Sequence, residues 1–373
     1  MQFAELTHVK QRIHLGAPLP FNVRSADRTL LLARGQQIES HAQLQALLDR
    51  GALVDLAELQ TAREEILKAR REQLPALWTR CLGQLGQVLA LNPERDFRAA
   101  LEDAAVPVQS LIERDPDLAI FQVLRQSGNA DTAYGAQRSL QTAITSHLVA
   151  QRLGWTPEQT EKAFKAALTM NISMLELQGQ LARQECPLTA EQRLALQRHP
   201  EESVRMLELA GVRDPDWLRA VLHHHEQEDG GGYPFGLSTV CELASLLRRA
   251  DVYTSKLAAR ASRDAMAADL AGRQMFMQDP GHPMTAALVK EFGIYPPGCY
   301  VRLAAGELAI VVGRGESITA PVVACLTNAR GAPLPAPVRT TTSDHAHQVV
   351  AVVGEQSVNV RLPMDKLMQA LVS

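Results

Sequence analysis

No apolar run in this chain of 373 residues approaches 18, so no stretch of it reads as a membrane-spanning helix. The start, Met1-Gln2-Phe3-Ala4-Glu5, lacks the basic stretch and apolar core of a secretory leader, and we expect a cytoplasmic protein. Short paired cysteine spacings are missing too. Cys81, Cys186, Cys241, Cys299 and Cys325 are scattered, which fits reduced, mostly buried thiols and neither a disulfide framework nor a zinc knuckle. Neither sign of charge is in excess: a net charge of -3 gives no global pull toward nucleic acid or an anionic membrane, and nucleic acid is not expected as a partner. Repeats of fixed period and low-complexity segments are absent as well.

What is present, 46% hydrophobic and 21% charged residues, describes an ordinary globular protein long enough for two or three domains. Residues 1–58 read as a small β-rich module. Short apolar runs at Ile13–Phe21 and Thr29–Gly35 are bounded by Pro and Gly, Asp27-Arg28 is a turn between strands, and a helix begins at Ser40. Residues 59–94 read as connecting helices within a helix-forming stretch from Leu56 to Leu91, split near Pro75 and suited to pairing with a second copy in a homodimer. Residues 95–294 are helical by signal, with capping boxes at Thr156 and Thr189 and a first-position proline after Asp214. Residues 295–373 turn β-rich again, with strands expected at 300–303, 309–312, 322–326 and 349–353 and a closing helix at 364–371. The fold class expected is mainly α: a helical bundle flanked by small β-rich modules.

One stretch is denser in chemistry than any other. His223-His224-His225-Glu226-Gln227-Glu228-Asp229-Gly230-Gly231-Gly232-Tyr233-Pro234 sets three histidines and three carboxylates before a glycine run, a composition suited to a metal or a phosphate. Successive residues of a helix turn by about 100°, so at most two of the three histidines face one site. His199 and Asp251 are the candidate ligands from elsewhere in the bundle.

His224-His225-Glu226, two residues, then Asp229-Gly230-Gly231-Gly232-Tyr233-Pro234 resembles the signature of HD-GYP domains, bacterial metal-dependent phosphodiesterases of the HD superfamily that act on cyclic di-GMP. The resemblance runs over roughly residues 100–300, through Leu188-Thr189-Ala190-Glu191, His199-Pro200, and Asp251-Val252-Tyr253 followed by Arg260 and Arg263. It implies an HD-type helical bundle, with His199, His224, His225 and Asp251 as metal ligands. It also implies Arg260 and Arg263, on one helical turn, as phosphate contacts. The loop at Asp229, Gly230, Gly232, Tyr233 and Pro234 becomes a surface for diguanylate cyclase or other signalling partners.

The chain departs from that pattern in its first half. Where the family has its early His-Ser, this sequence has Arg138-Ser139, and its His-Asp-x-Gly-Lys is replaced at Met170, Asn171, Ser173 and Met174. A thioether is a poor ligand for divalent iron or manganese, and an amide cannot bridge two metals as a carboxylate does. Each unit of charge lost or reversed at about 5 Å opposes a divalent ion by about 6 kcal/mol at an effective dielectric near 20. We therefore expect no cofactor, or a single Fe or Mn ion on His199, His224, His225 and Asp251, with Arg138 as the alternative occupant of the metal's place. If Arg138 has that role, it should point toward those residues and not to solvent. The expected function is a catalytically degenerate module that binds cyclic di-GMP or a signalling protein. The alternatives are a phosphodiesterase or phosphohydrolase with a reduced metal site, and an adaptor that binds no nucleotide.

Overall fold

The computed structural model describes residues 3–13, 15–55, 61–90, 97–125, 133–360 and 362–372. The module borders expected at 58/59 and 94/95, and the ends of the helix-forming stretch at Leu56 and Leu91, lie outside the described residues. The chain divides into two compact units, Met1–Ala69 and Arg70–Ser373.

The first unit is built on a four-stranded antiparallel sheet of β1 (Phe3–Glu5), β2 (Val23–Arg24), β3 (Leu30–Leu32) and β4 (Leu53–Asp55), in the order β1-β4-β2-β3. Helices α1 (His41–Asp49) and α2 (Ala62–Lys68) complete it, and Leu6, Phe21, Val23, Ile38 and Val54 fill its core. The turn at Asp27-Arg28 is present, with Arg28 at φ 71. The strand expected over Ile13–Phe21 is not formed at its described residues 15–21. These residues make one isolated bridge, Pro18 to Gln37, because Pro18 and Pro20 have no N–H to give a ladder.

The second unit is mainly helical. It opens with α3 (Leu74–Ala90), which begins at Pro75's turn as a proline in the first turn permits, followed by α4 (Phe97–Arg114) and α5 (Pro116–Arg125). Helix α6 (Ala133–Arg152) follows. Its residues Leu140, Ala143, Ile144 and Leu148 are almost wholly buried, and helices α7 (Pro157–Thr169), α8 (Leu175–Arg183), α11 (Glu242–Leu257) and α13 (Pro283–Phe292) pack against it. The bundle is completed by α9 (Ala190–Leu209), α10 (Pro215–His223) and α12 (Ala268–Gln278). Thr156 and Thr189 close capping boxes at α7 and α9, and Asp214 caps α10 ahead of Pro215.

A five-stranded antiparallel sheet ends the unit: β5 (Tyr300–Leu303), β6 (Leu308–Ser317), β7 (Ala320–Thr327), β8 (Pro333–Thr341) and β9 (Val349–Val353), in the order β8-β7-β6-β5-β9. Helix α14 (Met364–Val372) packs on β8. Of these five strands, β8 is the one that sequence reading misses. Prolines 333, 335 and 337 argue against a strand, yet all three sit on an edge, where one side of the ladder needs no donor. The fold is thus mainly α with flanking antiparallel sheets, as expected. No helix among the described residues is long and apolar enough to cross a membrane.

Candidate functional site

His199 is contributed by α9, Asp251 by α11, and His224 and His225 by the residues just past α10. The helix ends at His223, and its last turn parts His223 from His224 and His225. His223 turns away to meet the Phe235 ring at 6.0 Å, while His199, His224 and His225 bring nitrogens within 4.8 Å of one another.

The hydrogen bonds define the rings' state. His199 Nδ1 lies 2.6 Å from Leu196 O, and His224 Nδ1 lies 2.6 Å from Val221 O. A carbonyl only accepts, so each ring carries its proton on Nδ1. Both Nε2 atoms are then lone-pair acceptors, and they face each other at 3.1 Å. Burial is the largest influence on all three imidazoles and holds His199, His224 and His225 down to about 3. The cluster is neutral at ordinary pH, with its lone pairs converging.

Arg138 of α6 turns inward. Only 4% of its side chain is exposed, and Nη2 donates to Asp251 Oδ1 at 3.1 Å and to the Asp251 carbonyl at 3.3 Å. Nη1 donates to Gln141 Oε1 at 3.2 Å, and Gln141 in turn donates to Val123 O at 3.0 Å. Burial lowers the Arg138 pKa; Asp251 raises it, and the nearby charges of Arg260 and Arg263 add to the lowering. Asp251 is therefore engaged by a fixed cation.

Met170, Asn171 and Ser173 have different surroundings. Met170 is wholly buried at the end of α7 and belongs to the core. Asn171 is 2% exposed, and its Oδ1 has no hydrogen-bond partner. Ser173 fastens α9: its hydroxyl donates to His199 O at 3.0 Å and lies 2.9 Å from Ser203 Oγ. Two metals with a bridging carboxylate do not fit this donor set. Three convergent imidazoles fit one ion, since two nitrogens bound at right angles to a metal about 2.1 Å away stand about 3 Å apart.

A cavity of about 510 Å³ opens beside the cluster, lined among others by Tyr134, Arg138, Asn171, Gln178, His225, Tyr233, Asp251 and Arg260. Tyr134 Oη, Asn171 Oδ1 and Gln178 Oε1 are buried there without partners. Tyr134 and Gln178 are lining residues that sequence reading does not single out, because no motif marks them. Arg260 and Arg263 correct an expectation: α11 ends at Leu257, so they do not share a helical turn. They pair instead across a tight turn, Arg260 N to Arg263 O at 2.8 Å and the reverse at 3.0 Å. Arg260 lines the cavity, while the Arg263 guanidinium donates to Ser255 O at 2.6 Å.

The glycine loop closes the other wall. Tyr233 stacks on the His225 ring at 4.5 Å and 18°. Glu226, 1% exposed, accepts from Phe235 N at 2.7 Å and Leu237 N at 2.8 Å, which clamps the loop to the end of α10. Gly232 passes so close to this segment that a Cβ would stand 2.4 Å from Glu226 Cα. Asp229 accepts from Gly231 N at 2.8 Å, Gly230 takes φ 76, and Asp229 and Phe235 are exposed.

A helical bundle that gathers histidines from successive helices around an aspartate defines the class of the site. Residues 125–278 match the family model described as an HD domain. It is similar to a cyclic di-GMP phosphodiesterase of Pseudomonas aeruginosa, 29% identical over 264 residues, which is 69% of this chain. The chain spans 62% of that relative's length. In fold it is similar to an HDG"Y"P protein from Bdellovibrio bacteriovorus, with a TM-score of 0.50 and 17% identity over 78% of this chain and 98% of that one.

Proposed function

We propose that the chain is a catalytically degenerate HD-GYP-like protein that binds cyclic di-GMP, or a closely similar phosphodiester, without hydrolysing it, as a regulatory module in signalling. The observation that carries this reading is the Arg138–Asp251 pair, a buried guanidinium on the carboxylate a metal would need. A metal-activated water requires a cation with an open position, and a guanidinium has none. The cavity suits an anion. Arg138 and Arg260 line it, and Arg263 adds its field. The partnerless oxygens of Asn171 and Gln178 would accept N–H groups of a nucleobase, relieving a desolvation cost of about 1–3 kcal/mol each. The relative's name supplies the particular ligand.

The test is titration of the purified chain with cyclic di-GMP, alongside metal analysis and a turnover assay. Saturable binding without turnover, weakened about tenfold or more by Arg260→Ala, is the expected result. Stoichiometric iron or manganese, with hydrolysis abolished by His224→Ala, would overturn it.

A second reading rests on the facing Nε2 atoms of His199 and His224. Two acceptors at 3.1 Å are relieved by a cation between them, and His225 completes a three-nitrogen donor set. Under that reading one divalent ion would be held by His199, His224 and His225. It would supply Lewis-acid chemistry to a phosphodiester oriented by Arg260. Metal analysis of the wild type against His199→Ala separates the two.

A further inference from the structure

We propose that Glu228 and Arg249 are positioning residues of the ligand cavity: their contact sets where the wall made by His225 and Tyr233 stands relative to Asp251. For its effect on affinity this rests on the reading that the cavity binds cyclic di-GMP. The loop that follows α10 has two faces. His225 and Tyr233 line the cavity of about 510 Å³, whereas Gln227, Glu228 and Asp229 line a second cavity of about 460 Å³. Helix α11 is divided in the same way, with Asp251 on the first cavity and Arg248, Arg249 and Val252 on the second.

Arg249 is the joint between them. Its side chain is 3% exposed, and Nη1 donates to Glu228 Oε1 at 3.2 Å and to Ser245 O at 3.2 Å, with Ser245 Oγ also in contact. Nε and Nη2 both donate to Asp279 Oδ2, at 3.1 and 2.6 Å, and Nε reaches Thr285 Oγ1 at 3.3 Å. One guanidinium thus ties the loop to α11, to the end of α12 and to the first turn of α13. The Ser245 hydroxyl donates to the same Glu228 oxygen at 2.8 Å, and Arg248 Nη2 donates to Gln227 Oε1 at 2.7 Å. Among the described residues, Ser245, Arg248 and Arg249 supply the hydrogen bonds that join this loop to α11.

Stability does not require this arrangement. An apolar side chain of similar volume would fill the space of a buried arginine without its desolvation cost. What the guanidinium adds is direction, since each N–H fixes the place of its acceptor. Glu226 ties the loop to itself through the Phe235 and Leu237 amides, and neither of those bonds reaches α11. The tie to α11 runs through Glu228, three residues after His225, to Arg249, two residues before Asp251. With that contact slack, His225 and Tyr233 are free to shift against Asp251, and a displacement of about 1 Å is enough to weaken a bound ligand. The Glu228 side chain is 45% exposed, so replacing it disturbs position and not the core.

The experiment is nuclear magnetic resonance of the full chain with isotope-labelled histidine at pH 7, where the His225 ring is neutral and its signal reports geometry. That signal, assigned by its loss in His225→Gln, is shifted upfield by the stacked Tyr233 ring, and Tyr233→Leu marks its unstacked position. Glu228→Ala should move it most of the way to that position and raise the Kd for cyclic di-GMP about tenfold. Glu228→Gln keeps an oxygen for Ser245 and Arg249 and should largely restore both. The signal of His147, which packs against Phe164 in the bundle, should stay in place throughout. A His225 signal that Glu228→Ala leaves unmoved overturns the proposal, as does one that moves only together with that of His147, the mark of a general loosening. So does an unchanged Kd in Glu228→Ala where the wild type binds. A wild type that does not bind cyclic di-GMP, with the His225 signal still moving in Glu228→Ala, overturns the reading of the ligand and upholds the positioning of the wall.

Discussion

Arg138 governs the electrostatics of the site because its charge cannot leave. Arg138→Ala would strand Asp251, whose side chain is 21% exposed, beside neutral imidazoles. Breaking a buried pair from one side costs several kcal/mol, and the partial exposure of Asp251 brings the expected loss to about 2 kcal/mol in urea denaturation. The double variant Arg138→Met with Asp251→Asn should recover most of that stability, since it leaves neither charge unpaired. That Arg138, Met170 and Asn171 depart from the pattern the sequence resembles is legible in the sequence. The bond from Arg138 to Asp251 is not, because 113 residues separate them and only the packing of α6 on α11 brings them together. Glu226 was visible inside the motif but not in its role, since the amides it holds lie 9 and 11 residues further on.

At the scale of elements, the stretch after α10 behaves as one piece. Glu226→Ala removes the charged acceptor for two part-buried backbone amides and frees the loop from the end of α10, and we expect a cost of about 2 kcal/mol. Hydrogen exchange should report it as faster exchange at Phe235 and Leu237, with the core of α6 unaffected. Gly232→Ala, which forces a Cβ against backbone, should loosen the same loop and lower ligand affinity without altering the helices. Helix starts were legible to the residue because Thr156, Thr189 and Asp214 satisfy orphan N–H groups by local chemistry. The end of α11 was not. Arg260 and Arg263 have helical spacing, but the chain leaves the helix at Leu257, where the Ala261 amide is taken by Ala182 O at 2.7 Å.

Across the whole molecule, acid is the sensitive direction. His147 lies in the bundle between α6 and α7, against Phe164, with neither ring nitrogen hydrogen-bonded, and burial holds its pKa at about 4 against an ordinary 6.5. In the unfolded chain the ring takes up a proton below 6.5, whereas in the folded chain it resists until about 4. Between those values the unfolded state binds more protons, so stability is complete above 6.5 and falls as pH drops toward 4. The loss from this one group is about 3 kcal/mol. Thermal melts from pH 7 to pH 4 should show it, and His147→Leu should flatten the profile over that interval. In the metal-free protein His199, His224 and His225 act with the same sign.

The guanidinium on Asp251 carries one further consequence. An iron or manganese ion is exchangeable: it can be chelated, oxidised or outcompeted, and a site built on one follows the cell's metal supply and redox state. Arg138 is synthesised with the chain, has one oxidation state and keeps its charge at every physiological pH. Under the proposed function, a site whose positive charge is covalently attached answers to its ligand alone, and its response should be the same in metal-starved and metal-replete conditions.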